Sequence, residues 1–286
     1  MPARLIDGRA LGERIKASIR ARASALRSAG APPRLDAILV GAASDSPARV
    51  YAANQARMCG ELGIEYHLHD MAGSATYEDV AGRVLLLNSE PIVRAVMVHL
   101  PLPERIDAYR IQSLIAPEKD VEGVNPANIG NIVYGRSSLA PCTALAVLRM
   151  IESTGTELQG RTAVVVGASD IVGKPIAVML MRLEATVISC NKHTRGIQEY
   201  SRRADVLVAA AGVPGLVKAD WVKPGAIVID VGIHRVPGAD GKLQTVGDVA
   251  FDEVSQVASY ITPVPGGVGP MTVAMLLENT VSAAEK

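Results

Sequence analysis

"TAVVVGASDIVGKPIAVMLM" (residues 162–181) decides the fold. A valine-rich run ends at a glycine, a short polar turn follows, and a second glycine opens an apolar segment with helical spacing. The β-branched run predicts a strand and the later pattern a helix. A strand, glycine turn and helix start together point free backbone N–H groups at a phosphate. The spacing departs from G-x-G-x-x-G, because Ser169 holds the second glycine position and Gly173 falls one residue late. Gly167, Ser169, Ile171, Val172 and Gly173 are the candidate cofactor-binding residues of this turn, and a merely tight βα turn is the bland alternative.

Outward from this stretch the pattern repeats. "ATVISC" (185–190), "ADVLVAAAG" (204–212) and "AIVIDVG" (226–232) read as three further strands, so the second half predicts a doubly wound, Rossmann-like nucleotide domain. The first half alternates as well: a strand at 35–41, a helix at 46–62, a strand at 64–71, a helix at 76–88 and a buried strand at 93–103. The expected class is α/β with two domains. Residues 1–145 plus 273–286 form one, residues 146–272 the other, and "APCTALAVLRMIESTG" (140–155) is the connecting helix. The last segment, "MTVAMLLENTVSAAEK" (271–286), reads as an amphipathic helix that packs back on the first domain.

Composition narrows the function classes. Lys plus Arg and Asp plus Glu are equal at 29 each, so no global field attracts nucleic acid or an anionic membrane. No apolar run approaches the ~20 residues that cross a bilayer, which predicts a soluble globular protein. Cys59, Cys142 and Cys190 are an odd number without metal-ligand or C-x-x-C spacing. They fit a reducing cytosol, as small buried hydrophobes, and no metal site is expected. The Arg-rich start carries Leu11, Ile15 and Ile19 at helical spacing, which favours a folded first helix over a transit peptide.

Four further stretches hold chemistry. In "SPARVYAANQARMC" (46–59), Tyr51 and Gln55 are spaced i, i+4 on one helix face, a phenol beside an amide that cannot titrate. "PEKDVEGVN" (117–125) places Asp120 and Glu122 in a loop, where carboxylates are usually solvated but can hold a ligand's donor edge. "TPVPGGVGPMT" (262–272) gathers Pro265, Gly266, Gly267 and Thr272 in a loop whose many fixed and permissive φ angles suit backbone held close to a ligand. After the second strand of the nucleotide domain stand Lys192, His193 and Arg195, with no carboxylate until Glu199. That basicity favours a 2′-phosphate, hence NADP over NAD, against a solvated basic loop as the plain reading.

Together these segments resemble the bifunctional methylenetetrahydrofolate dehydrogenase/methenyltetrahydrofolate cyclohydrolase family over essentially the whole chain. "PGGVGPMT" (265–272) is the most specific piece. "VHLPLP", "PEKDVEG", "PCT", "IVGKP", "ADVLVAAAG", "IDVGI" and "GDV" follow the family's order. The resemblance implies a folate site in the cleft between the domains, a pyridine nucleotide on the second domain and a homodimer joined through the nucleotide domains. It implies that Tyr51 stacks on the pterin-aminobenzoyl part of the substrate, and it makes Asp120, Ile233 and Thr272 neighbours of the ligands.

Three departures fall in that folate site. The family's lysine, glutamine and aspartate are Gln55, His99 and Glu122 here. In the nucleotide turn the family's arginine is Ala168, and Lys192 is the candidate to replace its charge. Hydride transfer from a methylene carbon needs alignment more than a side-chain base. Ring opening by water does need proton transfer, a contribution of typically ~10²–10⁴ in rate. The expectation is an NADP-dependent dehydrogenase with weak or lost cyclohydrolase. The alternatives are a bifunctional enzyme with His99 as substitute acid/base, and a catalytically silent folate-binding protein.

Overall fold

The computed structural model describes residues 2–136, 139–238 and 241–286. It has two units. One is the chain up to Glu13 together with Thr143–Met275, and the other is Arg14–Cys142 together with Leu276–Lys286.

The chain opens with β1 (Arg4–Leu5) and α1 (Gly8–Ser28), then alternates through β2 (Arg34–Val40), α2 (Pro47–Leu62), β3 (Glu65–Met71), α3 (Tyr77–Ser89) and β4 (Ala95–Val98). Two shorter helices follow, α4 (Ala108–Gln112) and α5 (Pro126–Tyr134). After α6 (Cys142–Glu152) come β5 (Thr162–Val166), α7 (Gly173–Arg182), β6 (Thr186–Cys190), α8 (Ile197–Ser201), β7 (Val206–Ala209) and β8 (Ile227–Asp230). The chain closes through the strands β9 (His234–Pro237) and β10 (Leu243–Val246), then α9 (Phe251–Val254), β11 (Tyr260–Ile261) and α10 (Val268–Ala284).

In the Arg14–Cys142 unit the sheet order is β3-β2-β4, all parallel. Its central strand is buried from Leu35 to Val40, as a strand covered on both faces must be. Ile38, Val80, Val84, Val93, Val96 and Ile111 pack one side of this core. Local signals start and stop α2 where the sequence places them. Ser46 accepts a hydrogen bond from the Arg49 N–H, Pro47 fills the first turn, and Gly63 at φ 78° ends the helix.

The other unit holds a six-stranded sheet in the order β1-β11-β8-β7-β5-β6, parallel throughout. The four valine- and isoleucine-rich strands read from the sequence are its β5, β6, β7 and β8. Val164, Val166, Leu207, Ala209, Val228 and Ile261 form its core. Because β5 lies between β6 and β7, the strand order reverses beside β5, and a ligand crevice is expected at the carboxyl ends of strands there.

The last helix differs from its expected form. α10 starts at Val268 and is buried nearly all round, where an amphipathic stripe was expected. Its final turns, from Leu276 on, belong to the Arg14–Cys142 unit, where Glu285 pairs with Arg22 at 2.6 Å and Asn279 Nδ2 donates to Val121 O and Ala140 O.

Candidate functional site

In the Arg14–Cys142 unit, α2 carries Tyr51 and Gln55, and the chain leaving β4 carries His99. Tyr51 is 44% exposed, and its ring meets that of His99 edge-on with centroids 6.0 Å apart. His99 is anchored by its N–H to Ile38 O at 2.8 Å. Its Nε2 lies 3.0 Å from the Tyr66 hydroxyl, brought from β3. Burial lowers the His99 pKa to about 4, so the ring is neutral at neutral pH.

Gln55 is 1% exposed, and among the described residues neither its Oε1 nor its Nε2 has a hydrogen-bond partner. A buried, unpaired amide costs free energy in the folded chain, and such groups are rare. Glu122 stands in the turn between α4 and α5 and takes one long backbone bond, from Val98 N at 3.4 Å. Burial pushes its carboxyl up to about 7, and the neighbouring Asp120 adds to the rise. The charge of Glu122 in turn raises the Tyr51 phenol, after burial itself. Tyr51, His99 and Glu122 therefore form one constellation on this unit, and Gln55 shares the α2 face of Tyr51.

Asp120, expected to neighbour a ligand, braces its own loop. It is fully buried, with Oδ1 accepting from Gly123 N at 3.1 Å and Oδ2 from Asn125 N at 2.7 Å and Asn128 Nδ2 at 2.9 Å. Its oxygens are committed to shaping the turn that presents Glu122. Cys142 is buried beside this turn and donates its thiol to Val121 O at 3.2 Å.

In the sheet of the other unit, Gly167 ends β5 with φ 115°, and a Cβ there would lie 2.0 Å from Ala210 O. Only glycine permits this approach of the β5 turn to the β7 turn, at the reversal of strand order. Gly173 N donates to Ser169 Oγ at 3.4 Å, and Lys174 N to Ser169 O at 3.0 Å. Among the described residues, the backbone N–H groups of residues 168–172 have no protein partner. They offer an anion a row of donors before α7, so the turn fits a nucleotide phosphate. Ile171 is 48% exposed on it, and Val172 is half-buried.

Two buried carboxylates brace the neighbouring loops. Asp230 accepts from Gly232 N, Asp248 N and Val249 N, while Asp248 accepts from Ala211 N at 2.6 Å, Gly212 N at 2.9 Å and His234 Nε2 at 2.7 Å. Both lie in stretches read as motifs, but their link is tertiary. Pro265, Gly266 and Gly267 line a cavity of about 150 Å³ with Arg9, Asp230 and Ile233. The loop is tight against α1, since a Cβ on Gly8 would lie 1.9 Å from Gly267 O. Thr272 is not part of this lining; its Oγ1 donates to Val268 O within α10. Lys192 is exposed beyond β6, in a turn closed by Asn191 N to Thr194 Oγ1 at 2.9 Å.

Sequence reasoning missed Tyr66, Arg9, Asp230 and Asp248. For Tyr66 no local signal exists, because its partner His99 lies two strands away in the sheet.

Residues 6–122 match the family model for the tetrahydrofolate dehydrogenase/cyclohydrolase catalytic domain, and residues 141–286 that for its NAD(P)-binding domain. The bifunctional protein FolD of Nitrosospira multiformis is 48% identical over 100% of this chain and 97% of its own. The crystal structure of bifunctional FolD, a methylenetetrahydrofolate dehydrogenase/cyclohydrolase from Campylobacter jejuni, superposes with a TM-score of 0.92 at 42% identity, covering 98% of each chain. The Trypanosoma brucei enzyme, solved with NADP cofactor and an inhibitor, gives 0.91 at 37% identity, covering 100% of this chain and 98% of its own. The chain belongs to the tetrahydrofolate dehydrogenase/cyclohydrolase family.

Proposed function

We propose that this chain is an NADP-dependent methylenetetrahydrofolate dehydrogenase whose cyclohydrolase activity is weak or lost. The observation that carries the reading is Gln55: a buried amide with both polar atoms unpartnered stands where an acid/base would be required. When bound, the nicotinamide supplies the hydride acceptor for the substrate's methylene carbon. The protein's own part in that step is to bind and orient, with Tyr51 offering an exposed ring and Gln55 an amide that a ligand can satisfy.

Hydrolysis of a methenyl product demands more, because a proton must leave water and another must reach the departing nitrogen. Gln55 cannot move protons. His99, at about 4, is almost wholly neutral at pH 7 and is a poor proton donor there. Glu122, at about 7, favours a second reading: any surviving cyclohydrolase runs through this carboxyl and not through His99. The preference for NADP rests on Lys192, His193 and Arg195, whose side chains are free of ion pairs among the described residues, and it is weakened by Ala168. A homodimer is part of the same proposal, and sedimentation of the purified chain tests it.

The deciding assay follows NADPH and methenyltetrahydrofolate together from methylenetetrahydrofolate and NADP, then the decay of added methenyl compound. One-to-one accumulation with decay no faster than in buffer is the expected result. Faster decay that disappears in Glu122→Gln establishes the second reading. Failure to bind NADP or NAD leaves a silent folate binder.

A further inference from the structure

Tyr66 and His99 form a hydrogen-bonded pair that neither composition nor motif anticipates. The Tyr66 hydroxyl has one hydrogen-bond partner among the described residues, His99 Nε2 at 3.0 Å. A half-buried phenol with a single partner donates to it, because an unmade O–H bond is the more costly loss. An imidazole that accepts at Nε2 carries its proton on Nδ1. The tautomer is thus set by the partner on the other ring nitrogen. His99 Nδ1 has no partner among the described residues, and the residue is 3% exposed.

We propose that Tyr66 is a positioning residue that donates to His99 Nε2 and holds the imidazole as a fixed, neutral Nδ1–H donor for the folate substrate. His99 then supplies an uncharged N–H in this pocket, not a proton in transit. The proposal deepens the dehydrogenase reading and rests on it for the identity of the ligand. An independent feature of the same unit also calls for a ligand: the Gln55 amide on α2, nine-tenths buried and more, lacks partners at both atoms among the described residues.

The titratable groups around the imidazole are Tyr66 from β3, Tyr51 from α2 and the buried Glu122 carboxyl, which accepts from the N–H of Val98, one residue before His99. The two phenols are pushed up chiefly by burial and so stay protonated and uncharged. Burial is what lowers the His99 pKa. A ring kept neutral in this way is a donor of constant strength across the working pH range.

The test uses full-length protein labelled with ¹⁵N at histidine, with His99→Gln to assign the ring. In the parent, two-bond ¹H–¹⁵N spectra should show the Nδ1–H tautomer, unprotonated down to about pH 5. Tyr66→Phe should convert the ring to mixed tautomers and raise the KM for methylenetetrahydrofolate roughly five- to tenfold, leaving the KM for NADP unchanged. An Nε2–H tautomer in the parent, or a Tyr66→Phe protein with unaltered tautomer or unaltered folate KM, overturns the proposal. If Tyr66→Phe fails to fold, the parent's tautomer still decides it. The Nδ1–H tautomer in a parent that turns over no methylenetetrahydrofolate upholds the Tyr66 bond and overturns the dehydrogenase reading instead.

Discussion

At the scale of single residues, Gln55 sets function against stability. Its amide has lost water on folding and gained no hydrogen bond, a penalty of ~1–3 kcal/mol that an apolar side chain of similar shape would not suffer. Gln55→Met should therefore raise the stability of the free protein by ~1–3 kcal/mol in urea denaturation while weakening folate binding. Gln55→Lys should have a different effect. A lysine in the same burial regains a titratable group. The rate of methenyltetrahydrofolate decay should then rise by ~10²-fold or more, read by absorbance. A decay rate equal to that of the parent would show that position 55 does not limit hydrolysis.

At the scale of elements, buried polar groups hold the loops that present the site. Lys119 is nearly buried, and its Nζ donates to Leu87 O, Asn88 O and Glu90 O at 3.0, 2.6 and 2.9 Å. These carbonyls end α3, where a helix leaves acceptors unpaired and a cation is favourable. Lys119 precedes the Asp120 turn, so it ties α3 to the segment carrying Glu122. Lys119→Met should lower stability by ~1–3 kcal/mol, and the urea midpoint should fall accordingly. In the other unit, Gly167→Ala puts a methyl group against Ala210 O at a φ that L residues avoid. Loss of NADP binding by calorimetry, with a lowered melting temperature, is the expected outcome. The glycines of 162–181 showed that a tight turn lies here, because glycine advertises its φ in the sequence. The commitment of Asp120 to Gly123, Asn125 and Asn128 was not legible, since a carboxylate in a polar loop reads the same whether it faces water or the loop's own amides.

At the scale of the whole molecule, buried titratable groups set how stability depends on pH. Glu122 rises from an ordinary 4.5 to about 7, and Asp230 from 3.8 to about 6. Between those values the native state binds more protons than the unfolded chain, so both groups make stability fall as pH rises through the window. His99 falls from 6.5 to about 4, so the unfolded chain protonates first and stability drops as pH falls through nearly the same window. The opposing terms separate in single variants. Glu122→Gln should match the parent near pH 4 and exceed it above pH 7, by up to roughly 3 kcal/mol. His99→Gln should gain on the parent as pH falls from 6.5 toward 4. Urea denaturation across pH checks both, and a pH-independent difference for either variant would contradict the burial that moves its group.

The sequence by itself determined the α/β class and the parallel nucleotide sheet, and its resemblance to the family marked the substitutions at 55, 99 and 122. The class and the sheet are written in periodicity and glycine placement, which act within a few residues along the chain. Only the tertiary structure decided what those substitutions mean. Desolvation, which separates a histidine near 4 from one near 6.5 and a glutamate near 7 from one near 4.5, depends on what packs around a group. The Tyr66 hydroxyl on His99 and the unpartnered Gln55 amide likewise arise from strands and helices distant in sequence, and no local pattern encodes them.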